Sequence, residues 1–316
     1  VNSTPCVFLG GSKSAVSIVG CEAFVWRRNL RSLRTTRLPS RGKISRQEEQ
    51  PMSRQDHLEA FTQNGYCVIA DLFDPNEIRA LRREVDRFQT EGLVQNVRTR
   101  GDGETPDEGG KANLQLIPLF DKSDLIRSLP FDDRVVTIVS RLIGDPFLLH
   151  LDQLFLKPAN FGAGTSWHQD NAYFKIGNPL KGTAMWLAID DATEENGTLR
   201  LVPGSHRTAY PHERDPFSNH HIRCYPPEEQ AQTIEVAAGG AAFFCYGTAH
   251  STGDNHSIES RTGMAFHFLH SDHTADDLVA ADRDRRPWIT GPQAAGGLKE
   301  YGVDVRGSFQ QLCETA

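Results

Sequence analysis

A chain of 316 residues with 38% hydrophobic residues and four Trp has the material for one large domain or two small ones with a buried core. No run approaches the ~18 to 20 apolar residues that a bilayer-crossing helix needs, which argues against a membrane span and for a soluble protein. Residues 1–51 hold nine of the 34 Lys+Arg and three of the 41 Asp+Glu, so residues 52–316 carry 25 against 38, a formal net of −13. That acidity argues against a nucleic-acid surface and mildly against a heavily phosphorylated substrate such as a coenzyme A thioester.

Residues 1–51 are rich in Arg, Ser and Thr and show no sustained period, so they are expected to be disordered. Their composition suits an organelle transit peptide, and a native start at Met52 with an over-extended frame upstream is the favoured alternative. Residues 52–316 are then expected to form a single domain. The six Cys, at 6, 21, 67, 224, 245 and 313, form no Cys-x-x-Cys pair, which fits a reduced, intracellular setting. The expected location is cytoplasmic, with targeting by residues 1–51 left open.

A helix is expected from Ser53 through Leu58 and Phe61 to a stop at Gly65, followed by a strand over Tyr66-Cys67-Val68-Ile69. Asp74-Pro75-Asn76-Glu77 supplies an N-cap, a Pro at the first helical position and a Glu at the third. Ile78, Leu81, Val85 and Phe88 continue this second helix at helical spacing. Arg98 to Lys111, dense in Gly, Asp, Glu and Pro, reads as a mobile connecting loop. A further helix is expected from Phe131 to Leu142, ending at Gly144.

From Leu148 the texture changes to short strands parted by turns, placed near 148–156, 166–170, 183–190, 198–202, 232–237, 241–246 and 262–269. Asn196-Gly197 signals a hairpin and Gly239-Gly240 another tight turn. Helices first and strands afterwards give a mainly β fold with flanking helices: a double-stranded β-helix, or cupin-like jelly roll, buttressed on one face. Thr208 to Glu229 is a polar insertion with Tyr210, His212, Arg214, His220 and His221, which suits either a cover over the site or a surface excursion.

The chemistry centres on Trp167-His168-Gln169-Asp170. Side chains two apart on a strand leave the same face, so His168 and Asp170 are positioned to hold one ion together. Two ligands leave a divalent metal under-coordinated, and a distant His would complete the two-His, one-carboxylate face that suits non-haem Fe(II). His250 is the candidate, with Arg261 eleven residues later. His267, His270 and His273 recur at threes, but that spacing on a strand points to opposite faces, so they are not expected to form a metal site.

Taken in order, the His168-Gln169-Asp170 stretch, the strand Met185 to Asp191, Glu195-Asn196-Gly197, Leu199 to Val202, Pro203-Gly204-Ser205-His206-Arg207, His250 and Arg261 resemble the phytanoyl-CoA dioxygenase family over roughly residues 54–270. These are Fe(II)- and 2-oxoglutarate-dependent oxygenases. The resemblance implies His168, Asp170 and His250 as iron ligands, and Arg261 with Thr252 at the distal carboxylate of 2-oxoglutarate. Trp186 and Gln153 match its cosubstrate pocket, and Gln115 is a further candidate contact. It implies Fe(II), 2-oxoglutarate as cosubstrate and O2, with ascorbate as reductant, and a small-molecule substrate; charge and the lack of a long apolar run add the expectation of no nucleic-acid or membrane partner. Family halogenases lack the ligand carboxylate, so a retained Asp170 favours hydroxylation, with succinate and CO2 as coproducts. Asn255 and Ser257 are expected to brace the ligand loop. The alternatives are a non-catalytic metal-binding jelly roll, or a same-family enzyme that halogenates or epimerises.

Overall fold

A computed structural model of the chain describes residues 54–273 and 286–315; the expectations for residues 1–51 fall outside them. Contacts divide the chain into Val1–Gln50 and Pro51–Ala316, and all described residues belong to the second unit.

Two helices open it. α1 (Arg54–Asn64) ends at Gly65, and β1 (Tyr66–Ile69) follows. α2 (Pro75–Thr90) begins as its sequence dictates: Asp74 accepts from the Asn76 and Glu77 amides while the Glu77 carboxylate accepts from the Asp74 amide, a closed capping box. Its apolar stripe, Ile78, Leu81, Val85 and Phe88, is buried. A short β2 (Gln95–Asn96) and β3 (Leu114–Leu116) lead to α3 (Asp124–Ser128) and α4 (Asp133–Ile143). The last starts two residues later than its sequence suggests, because Asp132 caps it at the Arg134 amide and Leu129–Phe131 closes as a separate 3-10 turn.

The strands then follow as β4 (Phe147–Lys157), β5 (Thr165–His168), β6 (Gly182–Ala188), β7 (Leu199–Leu201), β8 (Glu213–Arg214), β9 (Ile222–Arg223), β10 (Gln232–Ile234), β11 (Ala241–Cys245), β12 (His250–Thr252) and β13 (Arg261–His270). The short α5 (Asn171–Phe174) interrupts them, and α6 (Leu298–Tyr301) and α7 (Phe309–Thr315) close the chain. A seven-stranded sheet runs β1-β11-β6-β13-β4-β3-β2, and a four-stranded sheet runs β10-β7-β12-β5, every ladder antiparallel. This is the jelly roll expected from the sequence.

Alternation along the strands explains the layers. Met185, Leu187, Phe243, Phe266 and Phe268 join Leu81, Phe88, Val139 and Leu142 in a core between the large sheet and the helices. Their neighbours Ala184, Trp186, Ala265 and Phe244 meet Leu199, Leu201 and Ile234 of the small sheet. The large sheet is thus covered on both faces, which is why β6, β11 and β13 read as nearly unbroken apolar runs. Each fully buried Phe in these layers contributes about 1.5–3 kcal/mol of transfer free energy.

Two expectations change. Asn196-Gly197 makes a turn but no hairpin, because β6 belongs to the large sheet and β7 to the small one. Gly197 has φ +80°, and a Cβ there would lie 2.3 Å from the Gly253 carbonyl oxygen, so the turn needs glycine to cross between sheets. The Arg98 to Lys111 segment is tied down rather than a free connector: Thr99 and Gly103 are buried, and their amides donate to the Phe217 and Pro216 carbonyls at 3.1 and 2.7 Å. These bonds join it to the 208–229 insertion. The C-terminal helices gave no sequence signal, yet α7 packs on α2 and α3 through Phe309, edge-on to Phe73 at 5.5 Å.

Candidate active site

The two sheets enclose a cavity of about 210 Å³ whose walls come mostly from the inner faces of β4, β5, β6, β12 and β13. Antiparallel pairing of β12 with β5 sets His250 directly across from His168, ring centroids 4.1 Å apart. Asp170 arrives differently from the shared strand face that its spacing suggests. β5 stops at His168, and Asp170 sits in helical conformation (φ −57°, ψ −31°) at the head of α5, its carbonyl accepting from the Tyr173 and Phe174 amides. The turn still delivers its carboxylate: Asp170 Oδ1 lies 3.7 Å from Nε2 of both His168 and His250. One ligand atom from each of the three fits within 4.8 Å of the others.

Both imidazoles are aimed by the backbone two residues earlier. His168 Nδ1–H donates to the Ser166 carbonyl and His250 Nδ1–H to the Thr248 carbonyl, each at 2.9 Å, so the Nε2 lone pairs face the common point. Burial lowers His168 to about 4, helped by the adjacent His250, and burial alone lowers His250 to about 4. Both are therefore neutral at neutral pH, the form that ligates a metal. Asp170 Oδ2 is buried without a partner.

The far end of the cavity is cationic. Arg261 is fully buried; its Nη2 donates to the Gly197 carbonyl at 2.7 Å, while Nε and Nη1 have no partner. Trp186 stacks over the guanidinium at 5.3 Å, and it fits because Gly263 leaves the room: a Cβ there would lie 2.4 Å from the indole. Lys157 pairs with Arg261 in the β4–β13 register and is itself buried. Its Nζ donates to Thr252 Oγ1 at 2.8 Å and to the Gly253 carbonyl. Thr252 Oγ1 also accepts from the Thr165 amide at 2.9 Å, which fills both its lone pairs and leaves its own O–H to donate. Burial lowers Arg261 to about 10, and burial with the neighbouring Arg261 pushes Lys157 well below the ordinary lysine range. Among the described residues neither is ion-paired to a carboxylate. Two buried basic groups without a counterion are the complement of an anionic ligand.

The remaining expectations divide. Trp186, Thr252 and Gln153 line the cavity, but the Gln153 amide turns to His267, Nε2 to Nε2 at 3.1 Å. Gln115 is one layer back, its amide bonded to Asn113 Oδ1 at 3.2 Å and near His221 Nε2 at 3.3 Å; Asn113, two residues earlier on the same face, reaches the cavity instead. Asn255 braces the loop as expected, donating to the Lys157 and Glu259 carbonyls and accepting from Ser257. Lys157, Asn113 and His267 escaped the sequence reading of the site. A period of two was the available signal: Lys157 shares a face with Gln153, and His267 with Arg261. His220, His221 and Tyr173 close the mouth, with the Ile222 amide donating to the Tyr173 hydroxyl at 2.9 Å.

The donor set and the unpaired atoms fit the groups they would hold. Two neutral imidazoles and a carboxylate on one side of a point, with an unpaired guanidinium deeper in the same cavity, suit a divalent iron and a dicarboxylate keto acid. Fold and site together define a jelly-roll oxygenase dependent on Fe(II) and 2-oxoglutarate. Residues 61–263 match the model of the phytanoyl-CoA dioxygenase (PhyH) family, and the chain belongs to that family. Among curated relatives, the ectoine dioxygenase of Stutzerimonas stutzeri (strain A1501) is 26% identical over 254 residues, covering 73% of this chain and 82% of that protein. The ectoine dioxygenase of Halomonas elongata is 26% identical over 249 residues, covering 73% and 74%. Similar solved structures include the epimerase SnoN with Fe3+, alpha ketoglutarate and nogalamycin RO (TM-score 0.58, 21% identity, 69% of this chain and 84% of that one). EctD from S. alaskensis with 2-oxoglutarate and 5-hydroxyectoine is another (TM-score 0.56, 19% identity, 72% and 79%). These structural likenesses speak for the fold. Among the described residues no helix is long and apolar enough to cross a membrane.

Proposed function

We propose that the chain hydroxylates a C–H bond of a small organic molecule, with His168, Asp170 and His250 holding Fe(II) and the cationic end holding 2-oxoglutarate. The observation that carries this reading is the meeting of three ligand atoms in one cavity with the unpaired Nε and Nη1 of Arg261. Iron, when bound with 2-oxoglutarate and O2, supplies oxidative decarboxylation to succinate and CO2 and an oxygen atom for the substrate.

This chain's residues do the rest. Arg261 offers two N–H donors to the distal carboxylate, and the Thr252 hydroxyl, forced to donate, offers a third. Trp186 fixes the guanidinium plane. Tyr173, Phe174 and Leu151 give the metal end an apolar wall that excludes water, and His220 and His221 sit at the mouth. A cavity of about 210 Å³ that also holds the cosubstrate admits a compact substrate or the tip of a longer one. With the acidity of residues 52–316, that favours a small molecule over a coenzyme A thioester.

The full chain with Fe(II), ascorbate and 2-oxoglutarate should release succinate, faster on addition of the right member of a panel of small polar organic molecules. His168→Ala should reduce release to background. Equal release by wild type and variant would overturn the reading.

A further inference from the structure

The β13 register that carries Arg261 into the cavity carries His267 to the metal end, six residues on and on the same face. The ring is wedged between Phe174 and Tyr246, centroids 5.5 and 6.0 Å away, so its plane is set by packing. The pairing irregularity follows immediately: His267 faces Leu151, Phe268 faces Leu149, and His150 is the extra residue of the bulge.

Hydrogen bonding then fixes its tautomer. The Gln153 amide nitrogen, which can only donate, lies 3.1 Å from His267 Nε2, so that nitrogen accepts and the ring hydrogen is on Nδ1. Nδ1 is buried without a partner, and 3.6 Å away stands Asp170 Oδ2, also buried without a partner. Closing by about 0.5 Å would bring the two into ordinary hydrogen-bond range. The other oxygen of the same carboxylate, Oδ1, is the one equidistant from His168 and His250 Nε2. The two oxygens of Asp170 therefore face different tasks.

We propose that His267, oriented by Gln153, is a positioning residue that holds Asp170 Oδ2 through Nδ1–H and presents Oδ1 alone to the metal. Resting on the triad reading above, this assigns Gln153 to the metal side of the site rather than to the cosubstrate. A carboxylate held by one oxygen cannot chelate the ion with both, and so leaves a coordination position for the cosubstrate or O2.

The test is anaerobic equilibrium dialysis of the full-length protein with Mn(II) in the absence of 2-oxoglutarate, beside thermal unfolding of each metal-free protein. His267→Leu should weaken Mn(II) binding about 10- to 100-fold, the range for lost partners of metal ligands. His267→Asn, which keeps an N–H donor close to the Nδ1 position, should recover most of that loss. Gln153→Leu should weaken Mn(II) binding by a smaller factor, with N-oxalylglycine binding to the Mn(II)-saturated protein unchanged. Unaltered Mn(II) affinity in His267→Leu, or equal losses in His267→Leu and His267→Asn, would overturn the proposal. Should His267→Leu fail to fold, Gln153→Leu decides alone, and wild-type affinity there would overturn it. If the wild type itself bound no Mn(II), the triad reading would fall first.

Discussion

The two ends of the cavity are built on opposite principles. At the end that gathers His168, Asp170 and His250, the backbone does the aiming: the Ser166 and Thr248 carbonyls orient the two imidazoles, and Asp170 sits at the head of α5. At the cationic end Arg261 and Lys157 sit side by side on β13 and β4, buried, with no carboxylate paired to either among the described residues. The first end turns two neutral imidazoles and one buried carboxylate, Asp170, toward a common point, which complements a cation. The second is electrostatically incomplete until an anion arrives. One end should therefore answer to a cation and the other to an anion.

Arg261→Gln gives the largest separation of the two. It removes a charged, bidentate donor, so the KM for 2-oxoglutarate should rise about 10- to 100-fold, matching about 1.5–3 kcal/mol for a hydrogen bond to a charged group. Metal affinity measured without cosubstrate should stay at the wild-type value. A parallel loss of metal binding would erase the distinction between the ends.

Lys157→Met sharpens it. Burial beside Arg261 favours the neutral amine in the free protein, and a bound dicarboxylate raises the lysine pKa again, so binding should take up a proton and weaken as pH rises. Charged groups facing Lys157 are Arg261 and Asp254, the latter ion-paired to Lys111. Calorimetry of N-oxalylglycine binding in buffers of different ionisation enthalpy should show proton uptake in the wild type and none in Lys157→Met, whose affinity should fall about tenfold. Identical uptake in both would remove Lys157 from the site.

The smallest effect tests whether uncompensated burial is confined to the cavity. Asp152 lies on the helix side of β4, accepting from the Leu119 amide at 3.0 Å, and burial pushes its carboxyl up to about 6. A raised carboxyl pKa gives stability that is fully present below the unfolded value near 4 and is lost as pH rises through about 6. Asp152→Asn should thus be more stable than wild type at pH 8, by up to about 3 kcal/mol, with the gap closing toward pH 4 in urea titrations. A constant gap would mean that the carboxyl is not perturbed.

Much of this was legible along the chain. The α2 cap, the apolar runs of β6 and β13, and the order His168, Asp170, His250, Arg261 are local patterns, and the structure brings those four residues into one cavity as their order suggested. His267 was passed over because a spacing of three was weighed against His270, whereas its useful relation is to Arg261, an even number of residues away. Asp170 reached the right place by a turn rather than by strand alternation. Asn196-Gly197 looked like a hairpin because local turn chemistry cannot tell whether the next strand joins the same sheet or crosses to the other.

The sequence by itself determined the secondary structure of most elements, the layering of the large sheet and the choice of His168, Asp170 and His250 as candidate metal ligands, because periodicity and side-chain chemistry are properties of short segments. Only the tertiary structure decided that Lys157 faces Arg261, that the Gln153 amide meets His267, and that residues 98–111 are bonded to 208–229. Those relations depend on strand register and on which face a bulge leaves inward. Both are settled by packing between segments about 100 to 120 residues apart, which no local pattern records.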